Sequence, residues 1–332
     1  MTVFLAIDGG NSKTEVLLAD TAGNVLGYAR GNGSNHQTAG GMSEAMNRLD
    51  DLVREARSAA GANGGGRPAL ASVYLAGADL PVELAALTDA INAAGWAEKS
   101  IVDNDTFALL RAGTEAPDAV AVVCGAGTNC VARAADGRTV RFPSLGQLTG
   151  DWGGGAHLGK LALWHAARAE DGRGPATSLV SAVAQHFGYL TIADVSAATH
   201  LGDIPHERIS ELCPLLFSVA AGGDPVARSL VIQQGEEVVA MATAALRRLG
   251  LLTAPVTVVL GGGVLRARDP LLFGVITERL LNTAPHAEIS LVTDPPVVGA
   301  ALLGLDALGI DGGAGSTIRT EVRRLIASGE PS

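Results

Sequence analysis

The chain has few aromatic residues and fewer basic than acidic side chains. Its 332 residues include 3 Trp, 3 Tyr and 6 Phe, whereas 47% are hydrophobic, so the core must be built mainly from Ala, Val and Leu. Lys and Arg number 24 against 34 Asp and Glu, which leaves a formal net charge of −10. This charge argues against nucleic acid or an anionic membrane as the main partner. An anion-binding site would have to be made locally, by backbone N–H groups or a bound cation.

Cysteine is also scarce, and the usual cysteine motifs are missing. Cys124, Cys130 and Cys213 form no Cys-x-x-Cys pair, so the sequence carries no zinc or iron–sulfur signature and is typical of a reduced, cytosolic protein. The first residues have no basic segment ahead of "VFLAI", and no apolar run approaches the length of a membrane span. We therefore expect a soluble cytoplasmic protein with no membrane partner.

Two common nucleotide motifs are absent, yet three glycine-rich turns follow apolar strands. Neither GxxxxGK[ST] nor a GxGxxG before a helix occurs. The stretches "VFLAIDGGNSKTEVLLADTAGNVLGYARG" and "AVAVVCGAGTNCVARAADGRTVRFP" each predict three strands joined by turns, and "VTVVLGGGVL" adds a third glycine turn. Helical spacing between them predicts Ser43–Ala60, with Ser43 as N-cap, Pro81–Ala94, and Asp224–Gly250 with Pro225 in its first turn. Alternating strands and helices favour an α/β fold.

Glycine turns allow backbone N–H groups to approach an anion without a Cβ in the way. We interpret the first two turns as opposed phosphate clamps and the third as the nucleoside site, although a single glycine turn is equally explained by a tight hairpin. Asp8, at the end of the first strand, could hold a metal ion through water. The candidate ATP-binding residues in these turns are Gly9, Gly10, Asn11, Ser12, Lys13, Thr14, Gly125, Gly127, Thr128, Gly261, Gly262 and Gly263.

Together these motifs resemble the actin-like ATPase superfamily, and within it the BadF/BadG/BcrA/BcrD ATPase family with its N-acetylglucosamine kinase-like members. The closer similarity is carried by "GSNH", "NDT", "GTNC" and "GDWGGG". The resemblance implies a two-lobed, ribonuclease H-like fold, each lobe a mixed sheet flanked by helices, with the active site in the cleft. It implies an N-terminal lobe over residues 1–115 and a C-terminal lobe over 116–332, whose last helix could pack back on the first lobe. "PVVGAALLGLDALG" resembles the helix that links the lobes, and Ala220 is implied beside the adenine site.

The stretch "VDND" offers a proton acceptor for phosphoryl transfer to a sugar hydroxyl. Asp103 and Asp105 lie on one strand face by period-2 spacing, and either carboxylate could take the proton. The resemblance places the catalytic aspartate at Asp105. From the residues alone, Asp105 is more simply a helix N-cap.

The same resemblance implies the sugar contacts, namely Asn35, His36, Gly77, Asp105, Asn129, Gly146 and Asp151. His36 is also explained as a structural loop residue. The sequence departs from the family pattern at Leu145, where a tryptophan is expected, and at Trp152, where a glutamate is expected. Trp152 could stack on a sugar face or pack between the lobes.

The resemblance implies an ATP- and Mg²⁺-dependent kinase that phosphorylates N-acetylglucosamine at O6 and forms a homodimer. Glucosamine and N-acetylmuramic acid are rival substrates, and a non-catalytic sugar sensor or ATPase on the same fold is a further alternative. Activase ATPases need paired cysteines for an iron–sulfur cluster, whereas Cys124 and Cys130 flank a phosphate turn. Kinases and repressors of the ROK type usually carry a zinc-binding cysteine cluster, which this sequence lacks.

Overall fold

Two five-stranded sheets organise the chain, which confirms the predicted α/β class. The computed structural model describes residues 2–61, 66–310 and 312–328. The chain divides into a first unit, Met1–Ala121 with Val292–Ser332, and a second unit, Val122–Leu291. The resemblance implies a lobe boundary at residue 115, with only the last helix returning to the first lobe. In the structure the chain leaves the first unit within a strand and re-enters it at Val292.

The first unit carries a mixed sheet of strand order β3-β2-β1-β4-β5. The pairs β1/β2 and β2/β3 are antiparallel, as predicted for the opening meander, and β1/β4 and β4/β5 are parallel. Its elements up to residue 113 are β1 Val3–Gly9, β2 Lys13–Asp20, β3 Val25–Asn32, α1 Met42–Ala59, β4 Leu70–Leu75, α2 Pro81–Ala94, β5 Lys99–Asn104 and α3 Asp105–Gly113.

The central strand β1 is buried on both faces, and its alternate residues enter two separate cores. Leu5 and Ile7 pack with α1 and α2, whereas Phe4 and Ala6 face the opposite side. The period of two residues along a strand produces this division. Asp8 follows the alternation of Phe4 and Ala6, which puts a carboxylate at the end of that second face.

Two C-terminal helices complete the second core of the first unit. They are α11 Pro296–Ala307 and α12 Ala314–Ser328. Val297 and Val298 of α11 and Ile318 and Val322 of α12 are fully buried there. The apolar faces of these helices cover the side of the sheet that α1 and α2 leave open, which explains why the end of the chain belongs to the first unit.

The second unit is built around a sheet of strand order β10-β9-β6-β7-β8. Strands β7 and β8 are antiparallel and β9 and β10 are parallel, so this sheet is also mixed. Its elements, including β6 at the unit boundary, are β6 Ala119–Cys124, β7 Thr128–Arg133, β8 Thr139–Arg141, α4 Gly155–Glu170, α5 Leu179–Phe187, α6 Ile192–Leu201, α7 Leu212–Ala221, α8 Pro225–Leu249, β9 Val256–Gly261, α9 Gly263–Arg266, α10 Pro270–Thr283 and β10 Ala287–Leu291.

Helix ends show where the sequence interpretation succeeds and where it is wrong. Asp224 accepts a hydrogen bond from Ala227 N, and Pro225 begins α8, as predicted. Ser43 is not the N-cap of α1, because the helix begins at Met42 after Gly41, which has a φ of 99°.

In the described part of the chain, no single helix has the length and apolarity of a membrane span. One pair of helices bent by 112°, His206–Ala221 with Pro225–Leu249, does, on length and composition alone.

Candidate active site

The first phosphate turn is a tight hairpin between β1 and β2. Gly10 N donates to the carbonyl oxygen of Lys13 at 2.8 Å. Asn11 and Ser12 at its tip are exposed. Gly9, in contrast, lies deep: a Cβ there would collide with Leu75 and would lie 2.5 Å from Ser34 Oγ. Gly9 is therefore explained by packing, and the open part of the turn runs from Gly10 to Ser12.

The two remaining side chains of this turn are engaged within the first unit. Lys13 Nζ donates to the fully buried carboxylate of Glu15 at 2.5 Å, and Tyr28 Oη donates to the other oxygen of Glu15 at 2.7 Å. Thr14 is fully buried and its hydroxyl donates to Ser34 Oγ at 2.9 Å. Lys13 stays about one-third exposed, so its ammonium is the group that a ligand could reach.

Asn35 lies at the base of the loop that follows β3 and is 5% exposed. Its Nδ2 donates to Asn11 Oδ1 at 2.6 Å, and its Oδ1 accepts from Gln37 N at 2.9 Å. Gly77, with a φ of 84°, packs directly against it, since a Cβ at this position would collide with Asn35 Oδ1. The structure therefore brings Asn11, Asn35 and Gly77 together.

His36 occupies the same loop and packs near Gly77. Its Nε2 lies 3.8 Å from Glu83 Oε1. Its Nδ1 is buried and has no hydrogen-bond partner among the residues described. Glu83 is held in place by Leu80 N at 2.9 Å and by Gln37 Nε2 at 2.7 Å. The His36 ring is thus supported on one side and has one unused polar atom on the other.

Asp105 is the first residue of α3, and Asn104 is the cap. Asn104 Oδ1 accepts from Thr106 N at 3.0 Å, and Asn104 Nδ2 donates to Asp79 Oδ1 at 2.8 Å. The N-cap interpretation of Asp105 is therefore wrong. The prediction that Asp103 and Asp105 share one strand face is also wrong, because β5 ends at Asn104 and only Asp103 lies in the strand.

The electrostatics of Asp105 and Asp8 differ from those of exposed carboxylates. Burial raises the pKa of Asp105 to about 6, although hydrogen bonds from Thr106 act in the opposite direction. Burial, and after it the charges of Asp105 and Glu15, raise the pKa of Asp8 well above its usual value, while Lys13 lowers it. Two shielded carboxyl groups with raised pKa values therefore lie close together in the first unit, as in many acid–base and cation-binding sites.

The second phosphate turn, between β6 and β7, has a different reason for its glycines. Gly125 N donates to Gly127 O at 2.9 Å. A Cβ at Gly125 or Gly127 would meet no atom within 4 Å, so neither packing nor a positive φ requires glycine there. The Thr128 hydroxyl is buried without a hydrogen-bond partner in the described chain. Asn129 Oδ1 accepts from Cys130 N at 2.7 Å and from Ser144 Oγ at 2.5 Å.

The segment from Gly146 to Ala156 runs from the candidate sugar residues to the second phosphate turn. Asp151 N donates to Gly146 O at 3.0 Å, and Thr149 Oγ1 donates to Asp151 Oδ2 at 2.7 Å. Gly155 N donates to Gly125 O at 2.8 Å, and Ala156 N donates to Ala126 O at 3.0 Å. Trp152 packs on His157, with ring centroids 5.1 Å apart. Gly146, Asp151 and the second turn are therefore parts of one connected structure.

Gln234 supports this structure from α8 and was missed in the sequence. It is fully buried, its Oε1 accepts from Gly154 N at 2.8 Å, and its Nε2 lies 3.5 Å from Cys124 Sγ. A glutamine on the otherwise apolar face of a long helix is the signal that could have identified it, because a buried amide needs partners.

A cavity of about 680 Å³ opens beside the second phosphate turn within the second unit. Gly125, Gly155 and Gly263 contribute to its wall, and α7 supplies an apolar side through Phe217. The full lining is Gly125, Ala126, Gly155, Ala156, Ser210, Cys213, Pro214, Phe217, Ser218, Gly263, Val264, Ala267, Arg268, Asp269 and Pro270. Its volume lies in the range of small-molecule sites.

The other candidate adenosine residues, Ala220, Gly261 and Gly262, do not line this cavity. Ala220 is buried in α7 and Gly261 ends β9. Gly262, with a φ of 89°, packs against the backbone of Cys124, where a Cβ would collide with the carbonyl oxygen. The family resemblance implies one α7 residue, Ala220, beside the adenine site, but Phe217 and the other α7 residues that line the cavity were not predicted, because they approach the glycine turn only in the folded chain.

The His, Cys, Asp and Glu side chains determine whether the chain itself offers what a metal ion or a reactive thiol needs. Among the described residues, no group of three or more His, Cys, Asp or Glu could hold a metal ion by itself. The three cysteines are buried, and burial raises the pKa of Cys124 to about 12 and that of Cys213 to about 11. These cysteines are thus thiols rather than the thiolates that metal clusters need.

The model of the BadF/BadG/BcrA/BcrD ATPase family matches residues 5–304. The chain belongs to this family. It is 24% identical over 318 residues to an N-acetyl-D-glucosamine kinase of Dictyostelium discoideum, which covers 92% of this chain and 98% of the relative. It is 25% identical over 303 residues to an N-acetylmuramic acid/N-acetylglucosamine kinase of Clostridium acetobutylicum, with 91% and 98% covered.

A solved structure shows the fold of this BadF-family chain independently. The crystal structure of a candidate N-acetylglucosamine kinase from Chromobacterium violaceum superposes with a TM-score of 0.69 at 23% identity. The match covers 91% of this chain and 99% of the other. At this identity the similarity shows the two-sheet α/β fold alone.

Proposed function

We propose that this BadF-family protein is an ATP-dependent amino-sugar kinase that phosphorylates O6 of N-acetylglucosamine. The observation that carries the proposal is Asp105, a carboxylate that caps no helix and whose pKa is raised to about 6. A general base works best when its pKa lies near the operating pH. The two curated relatives act on N-acetylglucosamine by name, which makes this sugar the first candidate.

The ATP assignment is supported by the open second phosphate turn. Glycine is not needed at Gly125 or Gly127 for the fold, whereas a phosphate group approaching the backbone does need the missing Cβ. The unpartnered hydroxyl of Thr128 would be satisfied by a ligand oxygen. The adjoining cavity would take the adenosine. In the first unit, the backbone of the turn from Gly10 to Ser12 and the ammonium of Lys13 are the proposed phosphate contacts.

Mg²⁺ is the proposed metal, and Asp8 is the residue that fits it. Mg²⁺ is usually held by one or two carboxylates, several waters and substrate phosphates rather than by a complete protein cage. Burial, and after it the charges of Asp105 and Glu15, raise the pKa of Asp8, and a hydrated cation would stabilise the carboxylate against both effects. The cation would neutralise charge on the phosphates.

The proposed sugar contacts are Asn35, His36 and Gly77 in the first unit, and Asn129, Gly146 and Asp151 in the second. Sugar hydroxyls could form hydrogen bonds with Nδ1 of His36, which has no partner among the described residues, and with the N–H and the lone pair that the Asn35 amide leaves unused. In the reaction, the hydroxyl at O6 gives its proton to Asp105 while O6 forms a bond to the γ-phosphorus. The bond from that phosphorus to the β,γ-bridging oxygen breaks, and ADP leaves with its electron pair.

We further propose a cytoplasmic homodimer without nucleic-acid or membrane partners. The net charge of −10 disfavours nucleic acid, and three buried free cysteines are typical of a reducing compartment. The dimer rests on the family resemblance. Sedimentation of the purified chain would measure the oligomeric state directly.

The test is a coupled assay of ADP release with Mg–ATP and a panel of sugars. We expect N-acetylglucosamine to give the highest kcat/KM, above glucosamine, N-acetylmuramic acid and glucose. Asp105→Asn should lower turnover about 100- to 10,000-fold, because it removes the base while keeping the size of the side chain. Asp103→Asn is the matched control, since Asp103 Oδ1 accepts from Asn104 N and an amide oxygen can do the same.

The outcomes separate the alternatives. Preference for another sugar of the panel would transfer the assignment to that sugar. Sugar binding by calorimetry without sugar-stimulated ADP release would identify a sensor instead of a kinase. Turnover of Asp105→Asn within a few-fold of the parent would remove Asp105 from the role of base.

A further inference from the structure

The first phosphate turn and the candidate sugar loop of the first unit are joined along their length. Ser34 N donates to Gly10 O at 3.2 Å, and Thr14 Oγ1 donates to Ser34 Oγ at 2.9 Å. Gly33 packs so closely against the turn that a Cβ there would collide with the carbonyl oxygen of Asn11. Movement of one segment would therefore displace the other.

One contact in this junction connects two side chains with different proposed ligands. Asn11, at the exposed tip of the turn, accepts from Nδ2 of the buried Asn35 at 2.6 Å. Asn35 Oδ1 accepts from Gln37 N at 2.9 Å. Since the amide oxygen and nitrogen of Asn35 each have one protein partner, the direction of the amide is determined. One N–H and one lone pair remain for a ligand.

We propose that Asn11 is a positioning residue of the sugar site. Its side-chain oxygen holds the Asn35 amide in the orientation that presents an N–H and a lone pair to sugar hydroxyls. The inference rests on the proposed function, in which Asn35 contacts the sugar. It departs from the sequence interpretation, which counted Asn11 among the ATP-binding residues only, and leaves the backbone of the turn to the phosphates.

The role of Asn11 can be separated from phosphate binding by two substitutions at the same position. Asn11→Ala removes the acceptor and leaves Asn35 Nδ2 without its partner. Asn11→Asp keeps an oxygen acceptor for Asn35 but adds a negative charge where phosphates are expected. If Asn11 positions the sugar site, Asn11→Ala should weaken sugar binding and leave ATP binding intact. Asn11→Asp should do the reverse.

The first measurement is calorimetric binding of N-acetylglucosamine and, separately, of Mg–ATP. We expect Asn11→Ala to raise the sugar Kd about fivefold, the effect of one net hydrogen bond, with the ATP Kd within about twofold of the parent. Asn11→Asp should retain the sugar Kd and raise the ATP Kd. In the background of Asn35→Ala, Asn11→Ala should have no further effect on the sugar Kd, because the group that it positions is gone. Ser12→Ala, the neighbouring tip residue, should leave the sugar Kd unchanged.

The second measurement needs no ligand and separates this inference from the proposed function. The backbone amide of Gln37 is bonded to Asn35 Oδ1, so its hydrogen exchange reports the orientation of the Asn35 amide. We expect exchange at Gln37 to be about fivefold faster in Asn11→Ala and unchanged in Asn11→Asp. A parent that binds no sugar would contradict the proposed function, whereas unchanged Gln37 exchange in Asn11→Ala, or an additive double mutant, would overturn the positioning role.

Discussion

Asp105 and Asn104 show how two neighbouring residues divide a structural and a chemical task. Asn104 caps α3 through Thr106 N, and its amide nitrogen is bound by Asp79. The adjacent carboxylate is thereby relieved of capping and remains half-buried at the end of the strand. Burial raises the pKa of this carboxyl group to about 6, although hydrogen bonds from Thr106 act in the opposite direction.

The pH dependence of the proposed reaction should therefore show an acid limb near pH 6. Because the folded protein raises the pKa of Asp105 from 3.8 to about 6, the reactive carboxylate is lost as pH falls through that value. We expect kcat/KM for the sugar, at saturating Mg–ATP, to fall about tenfold per pH unit below 6 and to level off above it. Asp103→Asn should retain this limb. A limb near pH 4 would show that the base is an unperturbed carboxylate rather than Asp105.

Single residues also mark the limit of what the sequence predicts. The three glycine turns were predicted from their position after apolar strands, and the same pattern offered Asp103 and Asp105 as candidate carboxylates. The choice of Asp105 came from the family resemblance. The choice between Asn104 and Asp105 as the cap was not predicted, since both residue types cap helices equally well. Gln234 was missed because its partner, the Gly154 amide, lies 80 residues away in the chain and is brought near only by the packing of α8.

At the scale of the element, the glycine turns look alike in sequence and differ in physical purpose. Gly262 and Gly263 are consecutive residues of the third turn. Gly262 has a φ of 89° and packs against the Cys124 backbone, whereas Gly263 begins α9 with open space around its Cβ position and lines the cavity. One glycine belongs to the fold and the next faces the cavity proposed for the nucleoside, a distinction that sequence spacing cannot make.

This difference predicts opposite outcomes for the same substitution at adjacent positions. Gly262→Ala should lower the free energy of unfolding by about 2–4 kcal/mol, because it combines a left-handed backbone with a collision against Cys124. Gly263→Ala should leave that free energy unchanged but raise the ATP Kd about tenfold. Denaturant unfolding and calorimetry measure the two effects. Normal ATP binding by Gly263→Ala would remove the nucleoside from this turn.

At the scale of the whole molecule, the chain does not simply form one lobe and then the other. Its strands and glycine turns were predictable because they depend on local alternation and turn chemistry. The return of Val292–Ser332 to the first unit was anticipated only for the last helix. Local pattern shows that α11 is apolar and that α12 has one apolar face, but it does not show which sheet face they cover, since that depends on the faces left open by the other helices.

The last helix provides a matched test of this arrangement, because α12 carries two isoleucines in opposite environments. Ile318 is fully buried in the second core of the first unit, whereas Ile326, two turns later, is 40% exposed. Ile318→Ala should lower the free energy of unfolding by about 2–5 kcal/mol, through lost burial and the cavity that remains. Ile326→Ala should change it by about 0.5 kcal/mol. Both values come from denaturant unfolding of the full chain. Equal effects of the two substitutions would mean that α12 does not pack on the first sheet, and that the core of the first unit is completed without the end of the chain.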